Sequence, residues 1–180
     1  FQAAKFLQAG QIFLDINSAS PGTKVASAKE VDASGADFVE GAVMSTVPGP
    51  GLQVPILGGG AKAQHAADIL NPLGMNFTPV SEETGRASAT KLCRSIIIKG
   101  LEALLIQCKE ASTHWGVEED VFASLSKSYP GMDWPELAVA MRGRVSLHGV
   151  RRSAEMREAA EMVSAIGLDA SLCSGIADVQ

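Results

Sequence analysis

Apolar and polar residues alternate with two different periods along the first 80 residues of the chain. Four apolar runs of strand length alternate with two segments of helical spacing: strands at residues 11–15, 37–44, 54–60 and 75–80, helices at 22–33 and 61–70. Strands and helices in this order predict an α/β sheet. Pro55 lacks an N–H group, so we expect the third strand to be an edge strand or to carry a bulge.

Beyond residue 83 the apolar positions have the helical period alone. The segments lie at residues 87–112, 117–128, 134–142, 149–166 and 169–177. The first is unusually long and apolar on nearly every face, which predicts the central helix of an all-α bundle. The predicted fold class is therefore α/β followed by all-α, with one domain at 1–83 and a second at 84–180.

Charge and cysteine content exclude several classes of function. The 180 residues carry a net charge of −5, so we expect neither nucleic-acid binding nor association with anionic lipid. Four arginines and His148 gather at residues 142–152. The longest apolar run, 96–106, contains Lys99 and Glu102 and is too short to cross a bilayer. Three cysteines without a C-x-x-C pair favour the reducing cytoplasm.

Lys91 is the candidate for acid/base chemistry. It stands at the start of the nearly apolar stretch that continues through Ile106, directly after the predicted domain boundary. Ligands commonly bind in clefts between domains. A lysine in such a place lies in a cleft, is paired, or titrates near neutrality, and the last condition suits proton transfer to an alcohol or carbonyl. A snorkelling side chain or a structural ion pair remain the alternatives.

Other polar and aromatic residues receive structural interpretations. Asp15 ends the first predicted strand, where we expect it to pair with a nearby amide or with Lys24. Trp115 and Trp134 flank the second helix of the bundle and are expected in its core. The histidines lack metal-ligand spacing and are interpreted as surface or packing residues: His65, His114 and His148.

Three segments together resemble the β-hydroxyacid dehydrogenase family, which includes 3-hydroxyisobutyrate and 6-phosphogluconate dehydrogenases. Residues 14–21 resemble its D-x-S-T-x-S-P segment, and residues 38–60 resemble the following strand, small-residue turn and strand ending in Gly-Gly. Residues 85–95 resemble its G-x-x-x-x-x-K-x-x-N-N motif, with the catalytic lysine at Lys91. Their order and spacing agree with the family, and the resemblance extends from Leu14 to about Ala170.

The resemblance implies a fold and a reaction. Residues 1–83 would be the C-terminal part of a Rossmann-like dinucleotide-binding domain, and 84–180 a helical substrate and dimerisation domain. Lys91 would take the hydroxyl proton of a small hydroxy-carboxylate while hydride passes to NAD or NADP. The substrate-binding positions would fall on Asn17, Ser18, Ser45 and Ser95, with Arg94 as a candidate anion clamp. A homodimer formed through the helical domain is expected.

Several positions depart from the family pattern. Arg94 and Ser95 stand where the family has two asparagines. The Ser-Gly-Gly turn aligns with bulkier residues at 43–45, and the K-D-L-x-L-A stretch aligns with 154–159 without its lysine. Arg151 or Arg152 would restore that positive charge. These differences indicate a branch with an atypical helical domain.

The glycine-rich dinucleotide turn of the family is absent from these residues. No G-x-G-x-x-G occurs, and the run 58–60 matches the family's Gly-Gly instead. We therefore expect a chain truncated at its N-terminus, with the cofactor turn outside it. A non-catalytic dimerisation and ligand-binding module, or a relative of imine reductases, remain alternative hypotheses.

Overall fold

The computed structural model describes residues 2–180, which pack as two compact units. One unit runs to Arg94 and includes Glu161–Asp169, and the other consists of Ser95–Ala160 and Ala170–Gln180. The change from strands to helices falls where the periodicity predicts it, because the last strand ends at Ser81 and the next helix begins at Arg86. The predicted division into domains at residues 83 and 84 stays a prediction.

A mixed four-stranded sheet forms the centre of the first unit. Its strands lie in sequence order: β1 (Ile12–Asp15), β2 (Asp37–Val43), β3 (Pro55–Gly59) and β4 (Asn76–Ser81). The outer pairs, β1 with β2 and β3 with β4, are parallel, and β2 pairs with β3 antiparallel. Of the two alternatives expected for β3, the edge position is wrong because β3 is an inner strand, but the strand does carry an irregularity, a shift of its register with β4 between Gly58 and Gly59. Pro55 is the first residue of the strand, where a missing ladder donor is tolerated.

Two helices cover opposite faces of this sheet. Helix α1 (Pro21–Asp32) packs on the face of Phe38, and α2 (Ala63–Leu70) on the face of the next residue, Val39. Successive side chains of a strand point to opposite faces, so both faces are buried. Ser20 accepts a hydrogen bond from the Thr23 N–H and caps the first helix. This arrangement confirms the predicted α/β character.

Four further helices follow the sheet. They are α3 (Arg86–Trp115), α4 (Glu118–Ser128), α5 (Trp134–Ala165) and α6 (Ser171–Val179). Two helices were expected at 134–142 and 149–166, and α5 does consist of two helical segments, which meet at a kink at His148 (φ −136°, ψ 18°); the first segment extends beyond the expected end at residue 142. The intervening residues contain no proline that would force a break. Among residues 2–180, no helix is both long and apolar enough to cross a membrane.

The second unit has its own apolar core. It is formed by Leu105, Phe122, Trp134, Ala138 and Met141. Trp134 is buried as predicted, whereas the same prediction for Trp115 is wrong, since 76% of that residue is exposed. The exposed tryptophan is the last residue of α3, and its ring lies edge-on to the ring of His114.

Candidate active site

Two carboxylates on one rung of the sheet organise the candidate site. Asp15, the last residue of β1, is in register with Glu40 of the parallel strand β2. Residues paired in register lie side by side on the same face of a sheet. The two carboxylates nevertheless have different partners. One holds the loop that follows β1, and the other holds the start of α3.

Asp15 fixes the loop that carries Asn17. Its Oδ2 lies 2.8 Å from Lys24 Nζ, and its Oδ1 accepts from the backbone N–H of Asn17 at 3.0 Å and from the side-chain amide at 2.7 Å. Both predicted types of partner are therefore confirmed. Burial raises the pKa of Asp15, but the hydrogen bonds from Lys24 and Asn17 outweigh it and hold that pKa below its usual value.

Glu40 binds the N-terminus of α3. Its Oε1 accepts from the N–H groups of Gly85 at 2.7 Å and Ala87 at 3.0 Å, and its Oε2 accepts from Ser88 N–H at 3.3 Å. The Glu40 residue is 0% exposed. The first N–H groups of a helix lack intrahelical acceptors and carry partial positive charge, so a carboxylate is a favourable partner there.

Sequence reasoning missed Glu40, although one signal was available. A glutamate inside the strand pattern of residues 37–44 is unusual, because glutamate is almost never buried without partners. Its partners lie 45 to 48 residues away, beyond the reach of local patterns. The sequence therefore indicated that Glu40 needs buried hydrogen-bonding partners but did not identify them.

The glycine run after β3 makes space for this carboxylate. A Cβ placed on Gly59 would lie 2.4 Å from Oε1 of Glu40. Gly60 has φ +117°, and a Cβ there would lie 2.9 Å from the carbonyl oxygen of Phe38. Any larger residue at position 59 therefore displaces the Glu40 side chain. The glycine run thus packs against the buried carboxylate of Glu40. A pyrophosphate group is also negatively charged and would be repelled there.

The start of α3 lies against the start of α1. Gly85 has φ +104°, and a Cβ there would lie 3.3 Å from Cβ of Pro21. Lys91 follows Ala87 by four residues and Ser88 by three, so it lies on the same side of the helix as the residues that Glu40 binds. The side chain of Lys91 is half-buried.

The other predicted site residues differ in exposure. Asn17, Ser18, Ser45 and Arg94 are all exposed. Arg94 is thus an exposed helix cation, although the residues that follow it in the sequence are apolar. Ile97, one turn further along α3, is itself 70% exposed. The structure thus places Asn17 and Ser18 directly before α1, whose Pro21 lies beside Gly85 at the start of the helix that carries Lys91.

Ser95 lies in the second unit and is buried. Its hydroxyl donates to Oε1 of Glu155 on α5 and accepts from Lys99 Nζ at 3.2 Å. Lys99 Nζ also lies 3.0 Å from Oε1 of Glu155. A serine hydroxyl has one proton and two lone pairs, so the capacity that remains is that of an acceptor.

Ser95 belongs to a largely buried cluster of charged side chains on α3 and α5, which we call the ion cluster. Its members are Ser95, Lys99, Glu102, Arg152 and Glu155. Glu102 is 0% exposed and binds Arg152. Burial lowers the pKa of Lys99, against the opposing effect of Glu155, and Arg152 lowers it further. Ser95, Lys99 and Glu102 follow at intervals of four and three residues, a helical stripe that the sequence already contained.

The histidines give no indication of a metal centre. His65, His114 and His148 are all exposed, as expected for surface residues. Within residues 2–180, no group of three or more His, Cys, Asp or Glu side chains is arranged to hold a metal ion.

Solved structures share this architecture. The 3-hydroxyisobutyrate dehydrogenase of Mycobacterium tuberculosis, solved with L-serine, aligns with a TM-score of 0.72 at 15% identity, covering 97% of this chain and 65% of that one. The fold is that of an α/β sheet with a C-terminal helical region, as in the C-terminal part of the 3-hydroxyisobutyrate dehydrogenase fold.

More similar proteins define the family. A conserved hypothetical protein from Sinorhizobium meliloti 1021 is 41% identical, with a TM-score of 0.84, over 93% of this chain and 56% of its own length. A conserved protein of unknown function, described as structurally similar to 3-hydroxyacid dehydrogenases, is 30% identical, with a TM-score of 0.79, over 98% of this chain and 67% of its own. The chain belongs to the 3-hydroxyacid dehydrogenase-like family, as the resemblance predicted.

Two further comparisons complete this assignment. Residues 113–180 match the family model described as a domain of unknown function (DUF1932). No curated protein matches the chain. The chain spans little more than half of the length of its Sinorhizobium meliloti relative.

Proposed function

We propose that the intact protein is an NAD(P)-dependent oxidoreductase that acts on the hydroxyl group of a small hydroxy-carboxylate, with Lys91 as general acid/base. Family membership supports this reaction class. The observation that carries the proposal is the start of α3. Glu40 binds it and Pro21 lies beside it, and the chain segment before Pro21 contains Asn17 and Ser18. The sheet thereby holds the lysine helix and the loop of polar donors in the same unit.

Lys91 has the chemistry that the reaction requires. Its half-buried side chain carries an amine, a group that can exchange a proton with an alcohol. In the neutral state it accepts the proton of the substrate hydroxyl, and it returns the proton in the reverse direction. The hydride acceptor would be NAD or NADP. The glycine run beside Glu40 does not suit its pyrophosphate, so we propose cofactor binding for the intact protein and not for these 180 residues alone.

The proposed substrate contacts have different capacities. Asn17 has its amide group partly engaged by Asp15, which leaves its carbonyl oxygen and one N–H free of that contact. The hydroxyls of Ser18 and Ser45 are proposed as donors to the substrate. Arg94, with an exposed guanidinium, is the proposed partner of the carboxylate. Ser95 is proposed to accept a proton donor, since its own proton is directed to Glu155.

The decisive experiment is Lys91→Ala in the intact protein, assayed for hydride transfer with a panel of 3-hydroxy acids. Loss of a general base is expected to slow the reaction by roughly 100-fold or more. The matched control is Lys29→Ala, which removes an exposed lysine from α1 and should leave the rate unchanged. An unaltered rate in Lys91→Ala would contradict the acid/base assignment.

Two further arms separate the alternatives. Activity on cyclic imines without activity on hydroxy acids would favour an imine reductase. Titrating the 180-residue chain with NAD(H) and NADP(H) tests where the cofactor binds. A tight stoichiometric complex with this chain would contradict our placement of the cofactor site. Ligand binding by the intact protein without turnover of any substrate would favour a non-catalytic module.

A second copy of the chain is the proposed partner, bound through the helical unit. Apolar side chains project from α3 and α5 into solvent, among them Ile97, Leu104, Leu147 and Val150. We place the interface here because large apolar side chains on a helix surface are stabilised by burial against a partner, and a symmetric dimer is the simplest closed assembly.

A further inference from the structure

The anchoring of α3 is unusual in where its acceptor comes from. Local helix caps are side chains at the residue before the first turn, and they satisfy the free N–H groups without tying the helix to anything else. Here the acceptor is Glu40, in the middle of β2, and both of its carboxylate oxygens are engaged by the helix. The contact therefore fixes the first turn of the helix, which belongs to the same unit, relative to the sheet.

The same rung of the sheet fixes the second element of the proposed site. Asp15 is in register with Glu40 and holds both the backbone and the side chain of Asn17. Lys91 lies three residues beyond Ser88, which is about 4.5 Å along the helix axis at about 1.5 Å per residue. The paired residues Asp15 and Glu40 thus hold both the loop that carries Asn17 and the start of α3.

We propose that Glu40 is a positioning residue, which sets the distance between the Lys91 amine and the substrate hydroxyl held by Asn17 and Ser18. This inference rests on the proposed function. Its physical basis is the steep dependence of proton and hydride transfer on alignment, since a displacement of about 1 Å can cost on the order of 100-fold in rate. Glu40 itself touches neither substrate nor cofactor.

Two substitutions disturb the anchor by independent routes. Glu40→Gln replaces one acceptor oxygen by an N–H donor that faces the helix N–H groups. Gly59→Ala leaves the carboxylate intact but places a methyl group 2.4 Å from the present position of Oε1, so the carboxylate must move. In the intact protein we expect both variants to lower kcat at least about tenfold, with a smaller change in KM. The limb of the pH profile that reports Lys91 should also shift.

Two controls test whether the effect is merely one of stability. Gly22→Ala adds a methyl group where nothing lies within 4 Å, so it controls for the glycine substitution. Asn71→Ala removes two hydrogen bonds to the backbone of Phe77 in the same unit, away from α3. Both controls should retain the wild-type kcat, KM and pH profile.

The outcomes separate this inference from the proposed function. If Glu40→Gln and Gly59→Ala behave like Asn71→Ala in kcat, KM and pH profile, Glu40 has only a structural role and the inference is overturned. Amide hydrogen exchange at Ala87 and Ser88 tests the anchor without activity. Faster exchange in both Glu40 and Gly59 variants supports it, and unchanged exchange refutes it. If Lys91→Ala stays active, the proposed function fails, whatever the exchange result.

Discussion

The two units of the chain differ in what their buried charges do. The sheet unit buries its apolar residues in two clusters on the faces of the sheet, and its buried charges hold the ends of elements. The helical unit buries an ion cluster between α3 and α5 and leaves several of its large apolar side chains in solvent: Ile97, Leu104, Val139, Leu147 and Val150. In the sheet unit a buried charge thus fixes the end of a single element, whereas in the helical unit buried charges join two helices; both units leave large apolar side chains exposed, such as Leu73 and Leu104.

The largest expected effect concerns the buried ion cluster. Lys99→Met should destabilise the protein by about 3–5 kcal/mol, because it removes the Lys99 charge from its buried ion pair with Glu155. Lys99→Met combined with Glu155→Leu should recover most of that loss, since replacing both members of a buried pair by apolar residues is often neutral. Denaturant unfolding of the two variants measures the difference.

The control for this experiment lies in the same unit. Lys109→Met breaks the half-exposed ion pair with Glu118, which solvent already screens, so its effect should be far smaller. If the double variant were less stable than Lys99→Met, the cluster would be a net source of stability. The contrast with the apolar core of the sheet unit would then disappear.

A second prediction concerns the exposed apolar face. Leu104→Glu should weaken self-association roughly tenfold or more, because it places a charge in an apolar interface. Leu73→Glu changes a similarly exposed leucine of the sheet unit and should leave association unaltered. Sedimentation velocity over a concentration series measures both. A monomeric wild-type protein would contradict the proposed dimer.

The smallest expected effects are those of pH, and they distinguish the two buried lysine pairs. The pKa of Asp15 is lowered by Lys24 and Asn17 against the effect of burial, so its contribution is present above the unfolded pKa near 3.8 and is lost as the pH falls through the folded value. The pKa of Lys99 is lowered chiefly by burial. At pH values between the folded pKa and the unfolded pKa of 10.5, the unfolded state therefore binds more protons than the folded state. The free energy of unfolding rises with pH over this range.

Stability curves of three proteins test this distinction. Asp15→Asn should abolish the loss of stability at acid pH and keep the gain of stability at alkaline pH. Lys99→Met should abolish the alkaline gain and keep the acid loss. A wild-type curve that falls as the pH approaches 10.5 from below would contradict the lowered pKa of Lys99.

The periodicity of apolar residues predicted most of the fold but few of the hydrogen bonds and ion pairs of the candidate site. All four strands and the long α3 appear where their apolar spacing placed them, since burial of a sheet face or a helix stripe is written locally in the sequence. The failures also have physical causes. The first half of α5 continues past residue 142 to the kink at His148, because no proline stops it earlier, and Trp115 ends its helix instead of facing the core.

The site shows the limit of this reasoning more sharply. The motif located Lys91, and the pairing of Asp15 with Lys24 was foreseen because only nine residues separate them. The hydrogen bonds of Glu40 to α3 and of Ser95 to Glu155 join residues more than 40 positions apart. Such contacts depend on the tertiary arrangement, so spacing alone does not reveal them.

The close packing of Glu40 against Gly59 predicts that these two positions covary among homologues. A relative with any larger residue at position 59 has no room for a carboxylate of this length, so a shorter acid or an uncharged residue at position 40 should accompany it. Aligned homologues should therefore show paired replacements at these sites, with the start of α3 held by a side chain of its own.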